Sequence, residues 1–171
     1  MKRLVPTGEM TTGPFFPREF AAGANDLTVL DGQQVEGEKI EIRGRVVQGD
    51  GKPLDNLVLE IWQADPSGRY DTPDFLGWGR AATDASGIYV FRTVKPGSAD
   101  GRSAHVNFLI LSSGLMRQLQ TVMFFEESGD PVFLSVEKSV RHRLVAKRQG
   151  ANRYVFDIRL RGGEETPFFD D

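Results

Sequence analysis

The side chains able to do chemistry in this chain are few and unevenly placed. Most fall in four runs: Trp62-Gln63-Ala64-Asp65-Pro66-Ser67-Gly68-Arg69-Tyr70, Arg80-Ala81-Ala82-Thr83-Asp84, Phe91-Arg92-Thr93-Val94-Lys95-Pro96-Gly97 and Arg102-Ser103-Ala104-His105-Val106-Asn107-Phe108. The 171 residues include no cysteine, which excludes a disulfide framework and any thiolate metal site. Metal chemistry would have to use other ligands, and with two histidines and three tyrosines the imidazole and phenolate donors are scarce. His142, inside the charged triplet Arg141-His142-Arg143, reads as a solvated histidine. Tyr89 and Tyr154 fall within apolar strands, where the default role is a packed ring with its hydroxyl bonded. Taken alone, Arg102 is a loop arginine or a local salt-bridge partner and His105 a structural histidine.

The elements that must position these residues are strands. From Glu38 onward Ile40, Ile42 and Val46 alternate with Glu41, Arg43 and Arg45, the period of a half-buried strand. Gly49-Asp50-Gly51-Lys52-Pro53 turns the chain, Asp65-Pro66-Ser67-Gly68 closes a second strand over 57–64, and Asp84-Ala85-Ser86-Gly87 opens another over 88–94. Further strands are expected over 104–111, 119–125, 143–148 and 153–160, with a short helical turn within 131–140. The class is all-β: an antiparallel β-sandwich of about eight strands built from short strand-turn repeats. Residues 1–37 read as an irregular N-terminal arm, because Pro14 and Pro17 lack the backbone donor that a helix interior or central strand requires, and 38–171 read as the sandwich.

Composition excludes several classes of partner. With 21 basic and 24 acidic residues interspersed, no basic stripe is present to neutralise phosphates, so nucleic acid is not expected. No stretch approaches the roughly 18 apolar residues of a membrane span, and no apolar signal core follows Met1-Lys2-Arg3. The expectation is a soluble, cytoplasmic protein. A chain of this length buries roughly 70% of its unfolded surface, which is enough for a core without staples.

In order and spacing, the four runs resemble the intradiol ring-cleaving dioxygenases, which open catechols between the two hydroxyl carbons. With Thr11-Thr12-Gly13-Pro14-Phe15 and the tail Gly163-Glu164-Glu165-Thr166-Pro167-Phe168-Phe169-Asp170, the resemblance covers nearly the whole chain and is closest to alpha subunits of protocatechuate 3,4-dioxygenase. It implies a prealbumin-like sandwich. Catalytic members hold ferric iron with two tyrosines and a His-x-His pair, and residues i and i+2 of a strand share one face, so two imidazoles converge on one ion. Here that pair is His105 and Asn107, and a neutral amide replaces poorly for imidazole. Tyr70 matches the first tyrosine; the second should follow Lys95-Pro96-Gly97, where the chain has Ser98-Ala99-Asp100-Gly101. Arg102 matches the arginine that lies over the substrate in catalytic relatives. Tyr70, Arg102, His105 and Asn107 are therefore expected to be a vestigial site, with no catalytic residue and no metal in this chain.

The same resemblance implies a partner. The chain is expected to act beside a protocatechuate 3,4-dioxygenase beta subunit that carries the Fe(III), in a hetero-oligomer of aromatic catabolism that inserts both atoms of O2 into protocatechuate and yields 3-carboxy-cis,cis-muconate. Thr11, Gly13 and Pro14 match alpha-chain positions that line the partner's substrate pocket, where glycine admits close backbone approach and proline stiffens the wall. Phe15, Phe16, Phe20, Phe168 and Phe169 are expected either at that interface or folded back over the chain's own sheet edges. Two rival readings stand beside this one. The first is a self-sufficient catechol-type intradiol dioxygenase with an atypical iron site; the second is a non-enzymatic transthyretin-like module.

Overall fold

In a computed structural model the described residues are 19, 21–70, 72–113, 115 and 118–169. In chain order they form β1 (Val29–Leu30), β2 (Gln33–Gln34), β3 (Lys39–Val47), β4 (Val58–Gln63), β5 (Trp78–Ala82), β6 (Ile88–Val94), β7 (His105–Leu111) and β8 (Leu119–Phe124). Then come α1 (Pro131–Ser135), a 3-10 turn (Arg141–Leu144), β9 (Lys147–Arg148), β10 (Arg153–Val155) and β11 (Ile158–Arg159). One sheet joins β6, β3, β10, β11 and β9; the other runs β5-β4-β7-β8; β1 and β2 form a small hairpin. The β-sandwich expected from the strand pattern is therefore present.

The strand ends fall close to expectation where alternation is clear. In β3, Ile40, Ile42 and Val46 are buried while Glu41, Arg43 and Arg45 face outward. They meet Leu59, Ile61, Val106, Phe108, Ile110 and Met123 from the other sheet. Tyr89, Phe91, Phe108 and Phe156 pack edge-on or tilted at centroid separations of 5.3 to 6.1 Å, the geometry that suits the ring quadrupole. Tyr89 has the core role expected of it, its hydroxyl donating to the Phe156 carbonyl at 2.5 Å. Tyr154 is buried as well.

Four details differ from the sequence expectation. The sandwich is not wholly antiparallel, since β10 and β11 run parallel to β3. The single strand expected over 153–160 is broken at Phe156 and Asp157, where the ladder gives way to other partners. The Phe156 carbonyl turns to the Tyr89 hydroxyl, and the Asp157 carboxylate accepts the Arg45 N–H at 2.9 Å. Gly44 makes that approach possible, because a Cβ there would lie 1.8 Å from the Phe156 oxygen. The strand expected over 143–148 shrinks to β9, and its first residues belong to the 3-10 turn. Finally, β5 carried no strand signature, because Gly79 and Ala81 replace the branched side chains that mark strands; its pairing with β4 forms it.

Segments on either side of the strands, 24–27 and 167–169, close on the sandwich. Residues 24–27 lie along β5 and β6 through Arg80 N to Ala24 O, Arg92 N to Asn25 O and Leu27 N to Arg92 O, each 2.8 Å, and Leu27 and Val35 enter the core. Contacts with the sandwich thus begin before residue 37. The tail covers the edge of β8: Phe169 N donates to Gln120 O at 2.9 Å, and Thr121 Oγ1 donates to Pro167 O at 2.7 Å. Phe168 packs on the main core and Phe169 on a second cluster of Val122, Phe124, Phe133 and Leu144. Phe168 and Phe169 thus fold back over the sheet edge. Phe15, Phe16 and Phe20 lie outside the described residues.

Candidate functional site

The outer face of the second sheet carries the site. Register places Trp78, Trp62, Asn107 and Val122 in one row across its four strands, with His105 and Phe124 paired in the next. His105 and Asn107, two apart on β7, share that face as period-two geometry requires. Tyr70 comes from the loop after β4, and that loop is built tightly. The buried Asp65 carboxylate accepts the N–H groups of Ser67 at 2.8 Å and Arg69 at 2.9 Å, and Arg69 Nε at 3.1 Å. Burial pushes the Asp65 carboxyl up, but these donors outweigh it and hold it below its ordinary value. Gly68, at φ +79, passes so close to the next loop that a Cβ would meet the Ser98 carbonyl at 1.9 Å. Gly97 N closes the junction by donating to Asp65 O at 3.0 Å.

Gln63 and Thr93 join the two sheets behind this loop. The buried Gln63 amide donates to Val94 O at 2.8 Å and Ala64 O at 3.2 Å, while its oxygen accepts the Thr93 hydroxyl at 2.9 Å. Two of the sequence runs thus serve as a cross-sheet tie that aims Tyr70.

The four residues expected to make a vestigial site are brought together. Tyr70 Oη lies 3.4 Å from His105 Nε2, and its ring stacks on Trp62 at 6.3 Å and 11°. His105 Nδ1 sits 2.7 Å from the Ser103 carbonyl, which only accepts, so Nδ1 carries the proton and Nε2 receives the Tyr70 hydroxyl. Burial lowers the His105 pKa, Arg102 adds to this, and the Ser103 and Asp130 oxygens oppose. Burial raises the Tyr70 phenol, against the pull of Arg102 and the Asn107 amide. The pair is therefore neutral near pH 7, a phenol bonded to an imidazole. Asn107 Nδ2 donates to Trp62 O at 3.3 Å.

Arg102 takes the salt-bridge role. Its Nε donates to Asp130 Oδ2 at 2.7 Å, and Asp130 is fully buried. The same carboxylate accepts Ser103 N at 2.9 Å and caps α1 through Val132 N at 2.8 Å and Phe133 N at 3.2 Å. Burial raises the Asp130 carboxyl, but Arg102 and the backbone donors hold it below its ordinary value. Arg102 Nη2 is buried with no acceptor among the described residues. It borders a cleft of about 440 Å³ whose walls include Trp62, Trp78, Leu109, Val132 and Phe169. Asp130 was missed as a site residue, although Asp130-Pro131 is a legible helix start with proline at the first helical position. His142 is exposed, as expected, and Thr11, Gly13 and Pro14 lie outside the described residues.

Where a second tyrosine would be needed, the chain makes a tight turn. Asp100 and Gly101 both have positive φ, of 51° and 76°, and Ala99 and Arg102 exchange backbone bonds of 3.1 and 2.8 Å, which leads directly to Arg102.

Residues 11–162 match the family model described as "Dioxygenase". With the sandwich and this constellation on its outer face, the chain belongs to the intradiol ring-cleaving dioxygenase family, close to the chains of protocatechuate 3,4-dioxygenase. It is 33% identical to the protocatechuate 3,4-dioxygenase beta chain of Burkholderia cepacia over 96% of this chain and 84% of that one. To the alpha chain of the same organism it is 31% identical over 99% of this chain and 100% of that one. Among solved structures it is similar to the dioxygenase domain of a dioxygenase carbohydrate-binding protein fusion from Streptomyces sp. SirexAA-E, with 26% identity, a TM-score of 0.64, and coverage of 93% of this chain and 100% of that one.

The family uses iron, and the donors here do not fit such a centre. Among the described residues Tyr70 and His105 are the one phenol and imidazole that converge, and an amide stands where the second imidazole belongs.

Proposed function

We propose that this chain is the alpha-type, non-iron-binding subunit of a protocatechuate 3,4-dioxygenase. The observation that carries the reading is the closure of Tyr70 Oη on His105 Nε2 with Asn107 alongside: two ligand types spend their donor atoms on each other. Loss of even one outer partner of a metal ligand typically costs roughly 10 to 100-fold in affinity. A centre short of two direct ligands has lost more than that.

In this reading a beta-type partner holds the Fe(III), and the assembly cleaves protocatechuate with O2 to 3-carboxy-cis,cis-muconate. Thr11, Gly13 and Pro14 line the partner's pocket, and the rigid loop and cap around Tyr70 and Arg102 keep the shape of a face that performs no chemistry itself. The chain works in the cytoplasm, where a cysteine-free fold needs no oxidising compartment. The 33% identity to a beta chain also favours a second reading, a self-sufficient enzyme that recruits further donors.

Iron content and protocatechuate-dependent oxygen uptake separate the two, measured on the chain purified alone and again co-expressed with a beta-type chain. Iron and turnover only in the co-expressed sample support the subunit reading. Stoichiometric iron, a burgundy tyrosinate-to-iron absorption and turnover in the lone chain would overturn it.

A further inference from the structure

The chain carries a net charge of −3, yet one concave surface concentrates cations. It lies on the outer face of the first sheet, away from Tyr70 and Arg102. A groove of about 670 Å³ there is bordered by Arg43, Arg45, Arg143, Lys147, Arg153 and Arg159, against two carboxylates, Asp157 and Glu164. The fold puts them together. Arg43 and Arg45 are outward positions of β3, and register sets Arg43, Val155 and Lys147 in one row across β3, β10 and β9. With strands about 4.8 Å apart and positions i and i+2 about 7 Å apart, Arg43 lies about 7 Å from Arg45 and about 10 Å from Lys147 along the backbone, within reach of long cationic side chains. The 3-10 turn adds Arg143 and β11 adds Arg159.

Internal partners account for only part of this charge. Arg153 pairs with Glu41 at 3.0 Å, outside the groove's own lining. Arg143 reaches the exposed Glu164 at 3.6 Å and donates to Glu165 O at 3.0 Å, but its Nε is buried with no acceptor among the described residues. Asp157 spends an oxygen on the Arg45 backbone N–H rather than on a guanidinium. Among the described residues no ion pair reaches Arg43, Arg45 or Lys147. Like charges held side by side over a concavity repel, and an anion seated between them turns that repulsion into attraction.

We propose that this groove binds a small polyanion bearing two or more carboxylate or phosphate groups, one spanning Arg43 and Lys147 and another reaching Arg143. Its volume lies within the usual range for small-ligand sites. Its lining contains a single aromatic residue, Phe156, which is buried in the core, so recognition rests on charge and not on stacking. Guanidinium forks suit both oxyanions, and the choice between them is a matter for experiment.

The test is isothermal titration of the full-length chain with pyrophosphate and, separately, with citrate, at fixed ionic strength. One saturable site is expected for at least one probe; tighter pyrophosphate binding identifies phosphate ligands and tighter citrate binding identifies polycarboxylates. The Arg43→Gln/Lys147→Gln double variant and Arg143→Gln should each weaken binding by about tenfold or more, while Lys138→Gln, an exposed cation elsewhere, should not. Because the double variant removes repulsion, it should fold as the parent does by circular dichroism, and the better probe should raise the parent's melting midpoint but not the variant's. Absence of saturable binding to both probes, or equal weakening by Lys138→Gln, would overturn the proposal.

Discussion

Replacing Asp130 by alanine removes the acceptor at the junction of the second sheet and α1. Its carboxylate takes four donors: Arg102 Nε, Ser103 N, Val132 N and Phe133 N. Loss of a helix cap costs about 1 kcal/mol. Breaking a buried ion pair costs roughly 3 to 5 kcal/mol, but Arg102 is 26% exposed and water can solvate part of its charge, so about 2 kcal/mol is the fitting figure. The sum is about 3 kcal/mol at pH 7, a urea midpoint lower by about 1 to 2 M for a slope near 2 kcal/mol/M. Asp130→Asn keeps a capping oxygen but puts an amide donor where Oδ2 accepted Arg102 Nε and Ser103 N, so it loses the charge pair and those two bonds, for about 2 kcal/mol or more. The pH dependence has a definite sign. Asp130 is held below its ordinary value in the folded state, so its contribution is complete above about pH 4 and is lost as pH falls through the folded value. The gap between parent and Asp130→Ala should therefore be widest, about 3 kcal/mol, at pH 7 and smaller near pH 3, closing toward about 1 kcal/mol, the cap alone, only once the pH is below the folded value. Urea denaturation of both proteins at the two pH values measures it. A gap under about 1 kcal/mol at pH 7, or one that does not change with pH, would show that Asp130 does not carry the charge pair described.

Other perturbations probe the loop and the tie behind it. Gln63→Ala and Thr93→Val should each cost about 1 to 3 kcal/mol, and a double-mutant cycle should return a coupling of about 1 kcal/mol, since each leaves the other's buried group unpaired. Gly68→Ala meets both a positive φ and the Ser98 carbonyl, so a loss of at least about 2 kcal/mol is expected by denaturation, with weaker limited-proteolysis protection at 65–70. Tyr70→Phe should remove a phenol that ionises above the ordinary tyrosine range, seen by alkaline titration at the tyrosinate absorbance. If the subunit reading holds, the same variant co-expressed with a beta-type chain should keep oxygen uptake within about twofold of the parent, because its hydroxyl does no chemistry.

Much of the fold was legible in local pattern. Alternation over 40–46 and 88–94 reports which side chains face the core, because period two is a property of any strand regardless of its neighbours. Asp130-Pro131 likewise marks the start of α1 within a few residues of sequence. The inventory of donors was also a matter of sequence: one amide where an imidazole would stand, and Asp100-Gly101 where a phenol would stand. Pairing was not legible. β5 is a strand only because β4 lends its hydrogen bonds, and β10 runs parallel to β3 because the chain crosses back after β9, which alternation does not record. For the same reason the closure of Tyr70 on His105, 35 residues apart, the Arg102–Asp130 bridge and the gathering of cations beside Arg43 came only from tertiary structure. Residue type sets what a side chain can donate or accept. Register and loop closure decide which group it meets, and that meeting is what separates a metal site from a tyrosine bonded to a histidine.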